Sequence, residues 1–175
     1  MFELIPLEPE YMEQFKKDMQ EAFQQGAVDA FGETEEEILP EGHIDRSLSA
    51  DGAVALGAFV DGELAGGAIV VIDEKTGHNH LDFLYVKNEV HSKGIGQAIW
   101  DGIEDRFQDT KVWETCTPYF EKRNIHFYVN RCGFHIVEFF NSHHPDPDDP
   151  GIATEDNNVA NEYFDGMFRF EKVMR

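Results

Sequence analysis

The stretch that decides the fold is Val90-His91-Ser92-Lys93-Gly94-Ile95-Gly96-Gln97-Ala98, which lies between a strand-like run and a helix-like run. Gly94 and Gly96 allow backbone N–H groups to come close to a ligand. The helix that begins here presents unpaired N–H groups and the positive end of its dipole, and both favour a pyrophosphate. Taken alone, Gly-x-Gly before a helix is a weak signal, and the third glycine of the dinucleotide-binding fingerprint is missing.

The residues on both sides of this turn predict a strand-turn-helix unit. His80–Val86 reads as a strand, and apolar residues recur on one helical face from Gly94 to Gln108. Upstream, Ala53–Val60 and Glu63–Ile72 are strand-like runs joined by Asp61-Gly62, a two-residue hairpin signal because both central positions of that turn favour positive φ. We therefore expect three adjacent antiparallel strands before the turn.

The remaining segments complete a mixed α/β pattern. Further strands are predicted over Phe2–Leu7, Val112–Cys116, Phe134–Phe140 and Tyr163–Val173. Further helices are predicted over Pro9–Gln24, Ile44–Leu48 and Tyr119–Arg131, the last stopped by Gly133. Gly26–Gly42 reads as a loop or a mobile short helix, and the proline-rich Asn141–Asn158 reads as a surface loop. Because there is no repeat and no second core, we expect one domain over residues 1–175.

The overall charge excludes two classes of partner. The chain has 175 residues and a formal net charge of −21. Nucleic acids and anionic membranes are bound mainly through Lys and Arg, so neither is an expected partner. The longest apolar runs are far shorter than the roughly 20 residues of a spanning helix, and the first residues do not resemble a signal peptide, so a cytoplasmic location is expected. Cys116 and Cys132 are interpreted as reduced core thiols.

The charge is unevenly distributed along the chain. Residues 1–86 carry a net charge of −15 and residues 132–175 carry −6, whereas residues 87–131 carry seven acidic and seven basic side chains. This neutral segment contains the glycine turn, and Lys87 and Lys93 flank that turn. An anionic ligand is better tolerated there than elsewhere on the surface.

A second motif follows the glycine turn by about 25 residues, Ile125-His126-Phe127-Tyr128-Val129-Asn130-Arg131-Cys132-Gly133-Phe134. Together the two motifs resemble the GCN5-related N-acetyltransferase (GNAT) family. Its coenzyme-A motif runs Gln/Arg-x-x-Gly-x-Gly/Ala, and its next motif ends in a Tyr followed a few residues later by Gly-Phe. The order of predicted elements resembles this family along essentially the whole chain. The resemblance implies the mixed α/β GNAT fold, with a central, mostly antiparallel, twisted sheet flanked by helices.

The resemblance also implies where acetyl-CoA would bind as cosubstrate. The backbone of Leu84, Tyr85 and Val86 would line up with the pantetheine arm, in a gap where two strands splay apart. The pyrophosphate would be held by the turn formed by His91, Ser92, Lys93, Gly94, Ile95, Gly96 and Gln97.

Two positions depart from the family pattern. His91 stands where the usual residue is Gln or Arg, and we expect weakened or pH-sensitive binding rather than a lost site, because main-chain donors do most of the holding. Glu121 stands seven residues before Tyr128, where many relatives have Asn. Asn124 would take over that contact with the cofactor. These departures leave open a catalytically silent acyl-CoA-binding module as the alternative to an enzyme.

Acetyl transfer to a primary amine implies roles for three side chains. An amine with a pKa of about 10.4 must first lose a proton, which calls for a carboxylate or a water chain. Asp82 occupies the position that often carries a catalytic Glu in similar enzymes, and Glu114 on the adjacent strand is the second candidate base. Tyr128 matches the family's general acid, which protonates the departing thiolate. A backbone N–H near Tyr85 or Val86, freed by a strand irregularity, would meet the developing oxyanion.

We therefore expect an acetyl-CoA-dependent N-acetyltransferase that transfers the acetyl group directly in a ternary complex, without Cys116 as a nucleophile. The acceptor is a small-molecule or peptide amine. Glu35-Glu36-Glu37 reads as solvated surface, although the acidity of residues 26–45 is also suited to recruiting a cationic amine. His78-x-His80 opens a strand and His143-His144 lies in an acidic loop, so no metal is expected. The last strand is available for pairing in a homodimer.

Overall fold

Seven strands of the computed structural model form one sheet within the described residues, which are 1–90, 94–147 and 166–175. The strands are β1 (Phe2–Pro6), β2 (Ala53–Val60), β3 (Glu63–Val71), β4 (His78–Val86), β5 (Val112–Pro118), β6 (His135–Phe140) and β7 (Met167–Val173). Their order across the sheet is β1-β2-β3-β4-β5-β7-β6. Neighbouring strands run antiparallel except β4 and β5, which are parallel. The predicted mixed α/β fold with a mostly antiparallel sheet is confirmed.

Helices cover both faces of this sheet. In the described part of the chain they are α1 (Met12–Phe31), α2 (Glu41–Leu48), α3 (Ile95–Arg106) and α4 (Lys122–His126). Helix α4 continues into a π-helical turn over Phe127–Arg131. Where the structure describes the chain, no helix is both long enough and apolar enough to cross a lipid bilayer.

The turn between β2 and β3 is the hairpin that the sequence predicts. Asp61 has a φ of 51° and Gly62 a φ of 84°, so both central positions have positive φ. Val60 pairs with Glu63, which closes the two-residue loop. Strands β2, β3 and β4 are adjacent and antiparallel, as predicted.

Helix α1 is longer than predicted. The apolar spacing predicts an end near Gln24, but the helix continues to Phe31. Near this end Ala27 packs against Ile38, and the ring centroid of Phe31 lies 4.8 Å from that of Phe120. The predicted helix end near Gln24 is therefore wrong, because tertiary packing overrides a weak local periodicity. Residues 32–40 form a loop, one of the two alternatives predicted for Gly26–Gly42.

Other boundaries move by a few residues. Helix α2 begins at Glu41 rather than Ile44, and α4 begins at Lys122 rather than Tyr119. Strand β7 is described from Met167 onward. The start of the last predicted strand, and much of the proline-rich loop predicted before it, lie outside the described residues.

The sheet separates two apolar cores. One core lies between the sheet and α3 and includes Trp100, Trp113 and Phe170, all fully buried. The other lies between the sheet and helices α1 and α2 and includes Phe15 and Ile44. Neighbouring residues of one strand contribute to different cores because strand side chains point alternately to the two faces.

Strands β4 and β5 are paired only where both begin. The paired residues are His78 with Val112, Asn79 with Trp113 and His80 with Glu114. Beyond them, Leu81 and residues 83–86 stay paired with β3, and residues 115–118 stay paired with β7. A gap therefore opens between the two strands just after His80 and Glu114. This β4–β5 gap lies where the resemblance places the pantetheine arm.

Candidate active site

Asp82 lies at a β-bulge where the β4–β5 gap opens. Leu81 pairs with Val70, and the next residue of β4 that pairs with β3 is Phe83, so Asp82 is the extra residue. A bulge redirects the side chains around it. Here Asp82 lies on the sheet face that carries α2, where Ser47 Oγ donates a hydrogen bond of 2.6 Å to Asp82 Oδ2.

The imidazole of His80 joins the two carboxylates predicted as candidate bases. Its Nδ1 lies 3.3 Å from Asp82 Oδ1, and its Nε2 lies 2.6 Å from Glu114 Oε2. His80 and Glu114 are the last paired residues before the gap. The structure thus brings Asp82 and Glu114 together at the closed end of the gap, through a histidine that the sequence did not assign to the site.

Arg169 on β7 extends this cluster across the sheet. Its Nη1 donates to Glu114 Oε1 at 2.8 Å and to Glu171 Oε1 at 2.6 Å, and its Nε donates to Glu138 Oε1 at 3.0 Å. The other carboxylate oxygen of Glu138 lies 2.7 Å from His144 Nε2. We define the charged network as Ser47, His80, Asp82, Glu114, Glu138, His144, Arg169 and Glu171.

Burial and ion pairing set the protonation states in this network. Burial opposes protonation of His80, but the hydrogen bonds to Asp82 and Glu114 outweigh it and raise its pKa to about 9. The hydrogen bond from His80 and the guanidinium of Arg169 lower the pKa of Glu114 to about 2, against the opposing effect of burial. At neutral pH His80 is therefore a cation, and Glu114 is a weakly basic anion.

Tyr128 lies on the opposite face of the sheet. Its side chain is 6% exposed and packs against the rings of Phe134 and Phe170. Its hydroxyl is hydrogen-bonded to Thr115, whose Oγ1 donates to the carbonyl oxygen of Leu81 at 2.9 Å. This short chain crosses from β5 to β4 just beyond their last paired residues. Burial raises the pKa of Tyr128 above its ordinary value.

A π-helical turn positions Tyr128. The N–H of Cys132 donates to the carbonyl of Phe127 at 2.9 Å, five residues back rather than four. Gly133, with a φ of 86°, follows this turn and ends the helical segment as predicted. Such turns are rare in proteins overall, but many of those that occur lie at functional sites. The apolar spacing of the sequence does not distinguish a π-helical turn from an α-helix.

Helix α3 begins at the predicted phosphate-binding turn. Gly94 is its N-cap and has a φ of 74°, which glycine adopts without strain. The helical hydrogen bond nearest this end runs from the Ala98 N–H to the Gly94 carbonyl at 3.1 Å. The N–H groups of Ile95, Gly96 and Gln97 therefore have no acceptor within the helix.

The start of α3 lies beside the open end of the gap. A Cβ added to Gly96 would lie 3.6 Å from the Phe127 ring and 3.7 Å from a methyl group of Val86, so the first turn of α3 contacts both β4 and the π-helical turn. Three other residues of the predicted turn lie outside the described residues; they are His91, Ser92 and Lys93.

The backbone of β4 presents polar groups to the gap. The Lys87 N–H donates to a β3 carbonyl at 2.8 Å. Because residues that hydrogen-bond to the antiparallel neighbour alternate with residues that do not, the backbone of Tyr85 faces β3 and that of Leu84 and Val86 faces the gap. The strand irregularity expected near Tyr85 or Val86 lies instead at Asp82.

Glu121 and Asn124 lie where β5 leads into α4. Glu121 packs against Gly26 of α1, where an added Cβ would lie 2.6 Å from Glu121 Oε1. Burial raises the pKa of Glu121. Asn124 is half-buried in α4, one turn before Tyr128. The glycine in α1 therefore makes room for the residue that departs from the family pattern.

Both cysteines are thiols. Cys132 is buried and Cys116 is half-buried. Burial raises the pKa of each to about 12, and the carboxylates of Glu114 and Asp146 add to this at Cys116. Since a thiolate rather than a thiol is the nucleophile, Cys116 is poorly suited to accept an acetyl group.

Two carboxylates of the charged network and the neighbouring His78 have the spacing of cation ligands. Ligand atoms of His78, Glu114 and Glu171 lie within 4.8 Å of one another. The guanidinium of Arg169 already donates to both carboxylates. The guanidinium of Arg169 therefore already supplies positive charge to these two carboxylates.

Sequence reasoning missed three members of the site. Ser47 comes from a short helix, Arg169 from the last strand, and His80 was considered only as a metal ligand. His80 and Glu114 lie 34 positions apart in the sequence, and Glu114 and Arg169 lie 55 positions apart. The sequence contains one signal for this cluster, because His78, His80 and Asp82 alternate along one strand. The bulge at Asp82 and the register with β5 then bring these side chains close to Glu114.

Comparison with known proteins gives the same assignment. The model of the acetyltransferase (GNAT) family matches residues 9–134. Protein YrkN of Bacillus subtilis (strain 168) is 47% identical over 164 residues, which cover 93% of this chain and 88% of YrkN.

Two solved structures show the fold. The PaiA N-acetyltransferase of Thermoplasma acidophilum, in complex with coenzyme A, superposes with a TM-score of 0.66 at 20% identity and covers 99% of both chains. A GNAT acetyltransferase of Elizabethkingia anophelis with acetyl-CoA bound gives a TM-score of 0.67 at 13% identity and covers 99% of this chain and 98% of that one. The glycine turn, the strand gap and the family match agree, and the chain belongs to the acetyltransferase (GNAT) family of acetyl-CoA-dependent N-acetyltransferases.

Proposed function

We propose that this protein, acting as one catalytic domain, transfers the acetyl group of acetyl-CoA directly to a primary amine in a ternary complex. The observation that carries this proposal is the β4–β5 gap, which has carboxylates on one face of the sheet and a phenol on the other. A thioester in the gap would be open to an amine from the charged face. Its sulfur would lie toward the face that holds Tyr128.

Acetyl-CoA binding is supported by two backbone surfaces. The gap-facing backbone of Leu84 is suited to pair with an amide of the pantetheine arm, in the manner of an added strand. The N–H groups of Ile95, Gly96 and Gln97, which have no acceptor within α3, are suited to the pyrophosphate. Coenzyme A bound to the PaiA structure, and acetyl-CoA bound to the Elizabethkingia structure, support this assignment.

Asp82 is the proposed proton acceptor for the incoming ammonium group. Glu114, the other candidate, has a pKa of about 2 and is already bonded to His80 and Arg169. A carboxylate with so low a pKa is too weak a base to accept a proton efficiently from an ammonium group. Asp82 lies two residues beyond His80, farther into the gap, and accepts a hydrogen bond from Ser47. Because its side chain is short, a water molecule between Asp82 and the amine fits the proposal.

After the amine attacks, charge develops on the thioester oxygen and then on the departing sulfur. Backbone N–H groups of β4 that face the gap are suited to the oxyanion. Tyr128 is the proposed proton donor to the thiolate, and the second proton that the acetylated nitrogen loses converts its phenolate back to the phenol. Its hydrogen bond to Thr115 positions the hydroxyl. Since Cys116 is a thiol with a pKa of about 12, the proposal contains no acetyl-enzyme.

A cationic acceptor is the substrate class that the charges favour. The charged network contains four carboxylates against two cations, Arg169 and the protonated His80, and the carboxylates are those of Asp82, Glu114, Glu138 and Glu171. The acidic loop that contains Glu35-Glu36-Glu37 lies on the same sheet face. It is anchored to α1 because Gln24 Nε2 donates to the Glu36 carbonyl at 2.9 Å and Gln20 Nε2 donates to Glu37 Oε1 at 3.2 Å. Such a surface attracts a cation and repels an anion.

The test is an acetyl-transfer assay with purified protein and a panel of amines, namely polyamines, aminoglycosides, amino acids and peptide N-termini. We expect acetyl-CoA-dependent release of thiol with at least one amine, and a rise in melting temperature with CoA. Binding of CoA without turnover of any amine would favour the silent binding module. Replacing Glu35, Glu36 and Glu37 together by Gln should raise KM for a polycationic amine, and an unchanged KM would remove the acidic loop from the proposal.

A further inference from the structure

We propose that Ser47 is a positioning residue for acetyl transfer: its hydroxyl holds the Asp82 carboxylate back from the His80 cation, so that Asp82 stays available to the acceptor ammonium group. The inference rests on the proposed function, in which Asp82 accepts the amine proton. Ser47 acts through Asp82 and touches neither the acetyl donor nor the amine. Helix α2, which carries Ser47, thereby gains a role in the reaction.

The two contacts of the His80 ring are unequal. Nε2 lies 2.6 Å from Glu114 Oε2, whereas Nδ1 lies 3.3 Å from Asp82 Oδ1. Carboxylates at both nitrogens make the ring a cation with a proton on each nitrogen. Between such an N–H and an unrestrained carboxylate, a hydrogen bond of about 2.8 Å is expected. The longer distance on the Asp82 side therefore calls for a contact that holds Asp82 away from the ring.

Ser47 provides this opposing contact. Its Oγ donates to Asp82 Oδ2 at 2.6 Å, a shorter distance than that between Asp82 and His80. Ser47 approaches from α2, which covers this face of the sheet, whereas His80 lies on the same strand as Asp82. The two contacts involve different oxygens of one carboxylate and pull it in different directions. Closer approach to His80 would lengthen the bond to Ser47.

The hydroxyl can resist the pull of the ring because α2 is fixed in the fold. Ile44, one turn before Ser47, is fully buried in the core between the sheet and helices α1 and α2. Lys16 of α1 forms ion pairs with Glu41 and Asp45 of α2. Ser47 itself is 8% exposed, so water competes little for its hydrogen bond.

The direction of its hydroxyl distinguishes Ser47 from a serine that serves only its own helix. Within a helix a serine hydroxyl can bond back to the carbonyl three or four residues earlier. The Ser49 hydroxyl does so at the end of α2, where it donates to the Arg46 carbonyl at 3.0 Å. The Ser47 hydroxyl instead reaches a side chain 35 positions away in the sequence.

Held in this way, Asp82 keeps room for the amine. A carboxylate has roughly four lone-pair sites, of which Ser47 and His80 use one each. The side chain of Asp82 is 25% exposed, so the ammonium group or a water molecule can reach it. Without the hydroxyl, Asp82 would close on the His80 cation, and a carboxylate in a closer ion pair accepts a proton less readily. Loss of the hydroxyl should therefore slow proton removal and leave cofactor binding unchanged.

The experiment measures kcat, and KM for acetyl-CoA, in the wild type, Ser47→Ala, Ser47→Thr and Ser49→Ala. For Ser47→Ala we expect kcat to fall by about tenfold, with an unchanged KM for acetyl-CoA and an unchanged rise in melting temperature with CoA. Ser47→Thr keeps the hydroxyl and should restore most of the lost kcat. Ser49→Ala is the matched control, because Ser49 is an exposed serine of the same helix end, and it should keep the wild-type kcat.

Three results of this comparison overturn the inference. They are a wild-type kcat in Ser47→Ala, an equal loss of kcat in Ser47→Thr and Ser47→Ala, and a loss that appears in KM for acetyl-CoA rather than in kcat. A wild type without turnover of any amine overturns the proposed function and this inference with it, whereas turnover that Ser47→Ala leaves unchanged overturns the inference alone.

A double-mutant cycle separates action through Asp82 from a general disturbance of α2. In the Asp82→Asn background, Ser47→Ala should change kcat by less than about twofold, because the carboxylate that Ser47 holds is gone. A tenfold loss in both backgrounds would show that Ser47 acts by another route and would overturn the inference.

A crystal structure of Ser47→Ala tests the geometry without any assay of activity. We expect the distance from His80 Nδ1 to Asp82 Oδ1 to shorten from 3.3 Å to about 2.8 Å. An Asp82 carboxylate that stays in place in the absence of the hydroxyl would overturn the inference.

Discussion

The two faces of the β4–β5 gap differ in almost every physical property. The face toward α1 and α2 carries the charged network, in which Arg169 alone binds three carboxylates. The face toward α3 carries an aromatic cluster in which Tyr128 packs with Phe134 and Phe170. The two residues that would carry protons, Asp82 and Tyr128, lie on different faces and approach each other only through the gap.

This difference separates two kinds of proton transfer. Uptake of a proton from a cation is favoured where charges are present and solvent has access. Delivery of a proton to a thiolate is favoured where water is excluded, so that the phenol is the only nearby donor. A sheet that opens between two strands lets one substrate lie between both environments, which a continuous sheet would not allow.

The largest expected effect is on the charged face. Replacing Asp82 by Asn removes the proposed proton acceptor and keeps its shape, so kcat should fall by about 10²- to 10⁴-fold. The rise in melting temperature with CoA should be kept, because the cofactor surfaces are elsewhere. Asp51→Asn, at an exposed turn, is the matched control and should keep the wild-type kcat. A wild-type kcat in Asp82→Asn would remove Asp82 from the mechanism.

The next effect is on the aromatic face. Replacing Tyr128 by Phe keeps the packing with Phe134 and Phe170 but removes the hydroxyl, so kcat should fall by about 10²-fold while CoA still stabilises the fold. Tyr11→Phe, in which the ring keeps its contact with Phe59, is the control. A wild-type kcat in Tyr128→Phe would show that the thiolate receives its proton from another group. The proposed division of proton transfer between the two faces would then be wrong.

A smaller effect is expected where the gap meets α3. Gly94 has a φ of 74°, and Ala in that conformation costs roughly 1–2 kcal/mol. Gly94→Ala should therefore distort the turn and raise the Kd for CoA by about tenfold, with less effect on kcat. Gly42→Ala, at a helical position with open space around it, should leave the Kd unchanged. Equal effects of the two substitutions on the Kd would contradict a role for the turn.

The smallest effect concerns a carboxylate that lacks the pairing of the charged network. Asp18 of α1 is 2% exposed, and its Oδ1 accepts a hydrogen bond from Gln14 at 2.6 Å while its Oδ2 has no partner among the described residues. Burial raises the pKa of Asp18. A carboxyl group with a raised pKa in the folded state loses stability as pH rises from its unfolded-state pKa to its folded-state pKa, and the full cost is present above both, at neutral pH.

Asp18→Asn should therefore raise the melting temperature at pH 7 by roughly 2–4 °C, the shift that about 1 kcal/mol gives in a chain of this size. The pH-dependent part of this difference should disappear as the pH falls well below the ordinary Asp pKa of about 3.9, where Asp18 is protonated in both states. A variant that is less stable at pH 7 would show that the Asp18 carboxylate has a stabilising partner.

Local patterns predicted the framework of the molecule, and long-range contacts supplied the site. The hairpin at Asp61-Gly62 and the start of α3 at Gly94 depend on residues next to each other, so they follow from the sequence. The bulge at Asp82 does not, because it arises from the register of β4 against β3. Arg169 reaches Glu114 only because β7 inserts beside β5, and no local pattern encodes that neighbour.

The extension of α1 shows the same division. Gly26 and the acidic residues after it predict a loop or a mobile short helix, yet Gly26 lies within α1, where Glu121 needs space. The departure at Glu121 was visible in the sequence, but its contact with α1 was not. Pairs of this kind are found only once the fold brings the two segments together.

The most direct test of the central claim is whether the acetyl group ever resides on the protein. The chain is mixed with acetyl-CoA and, after intact-mass analysis, an acceptor amine is added in a single-turnover experiment. Direct transfer predicts unmodified chain before the amine is added, and CoA thiol and acetylated amine appearing together afterwards. A chain acetylated at Cys116 that then passes its acetyl group to the amine would contradict the account.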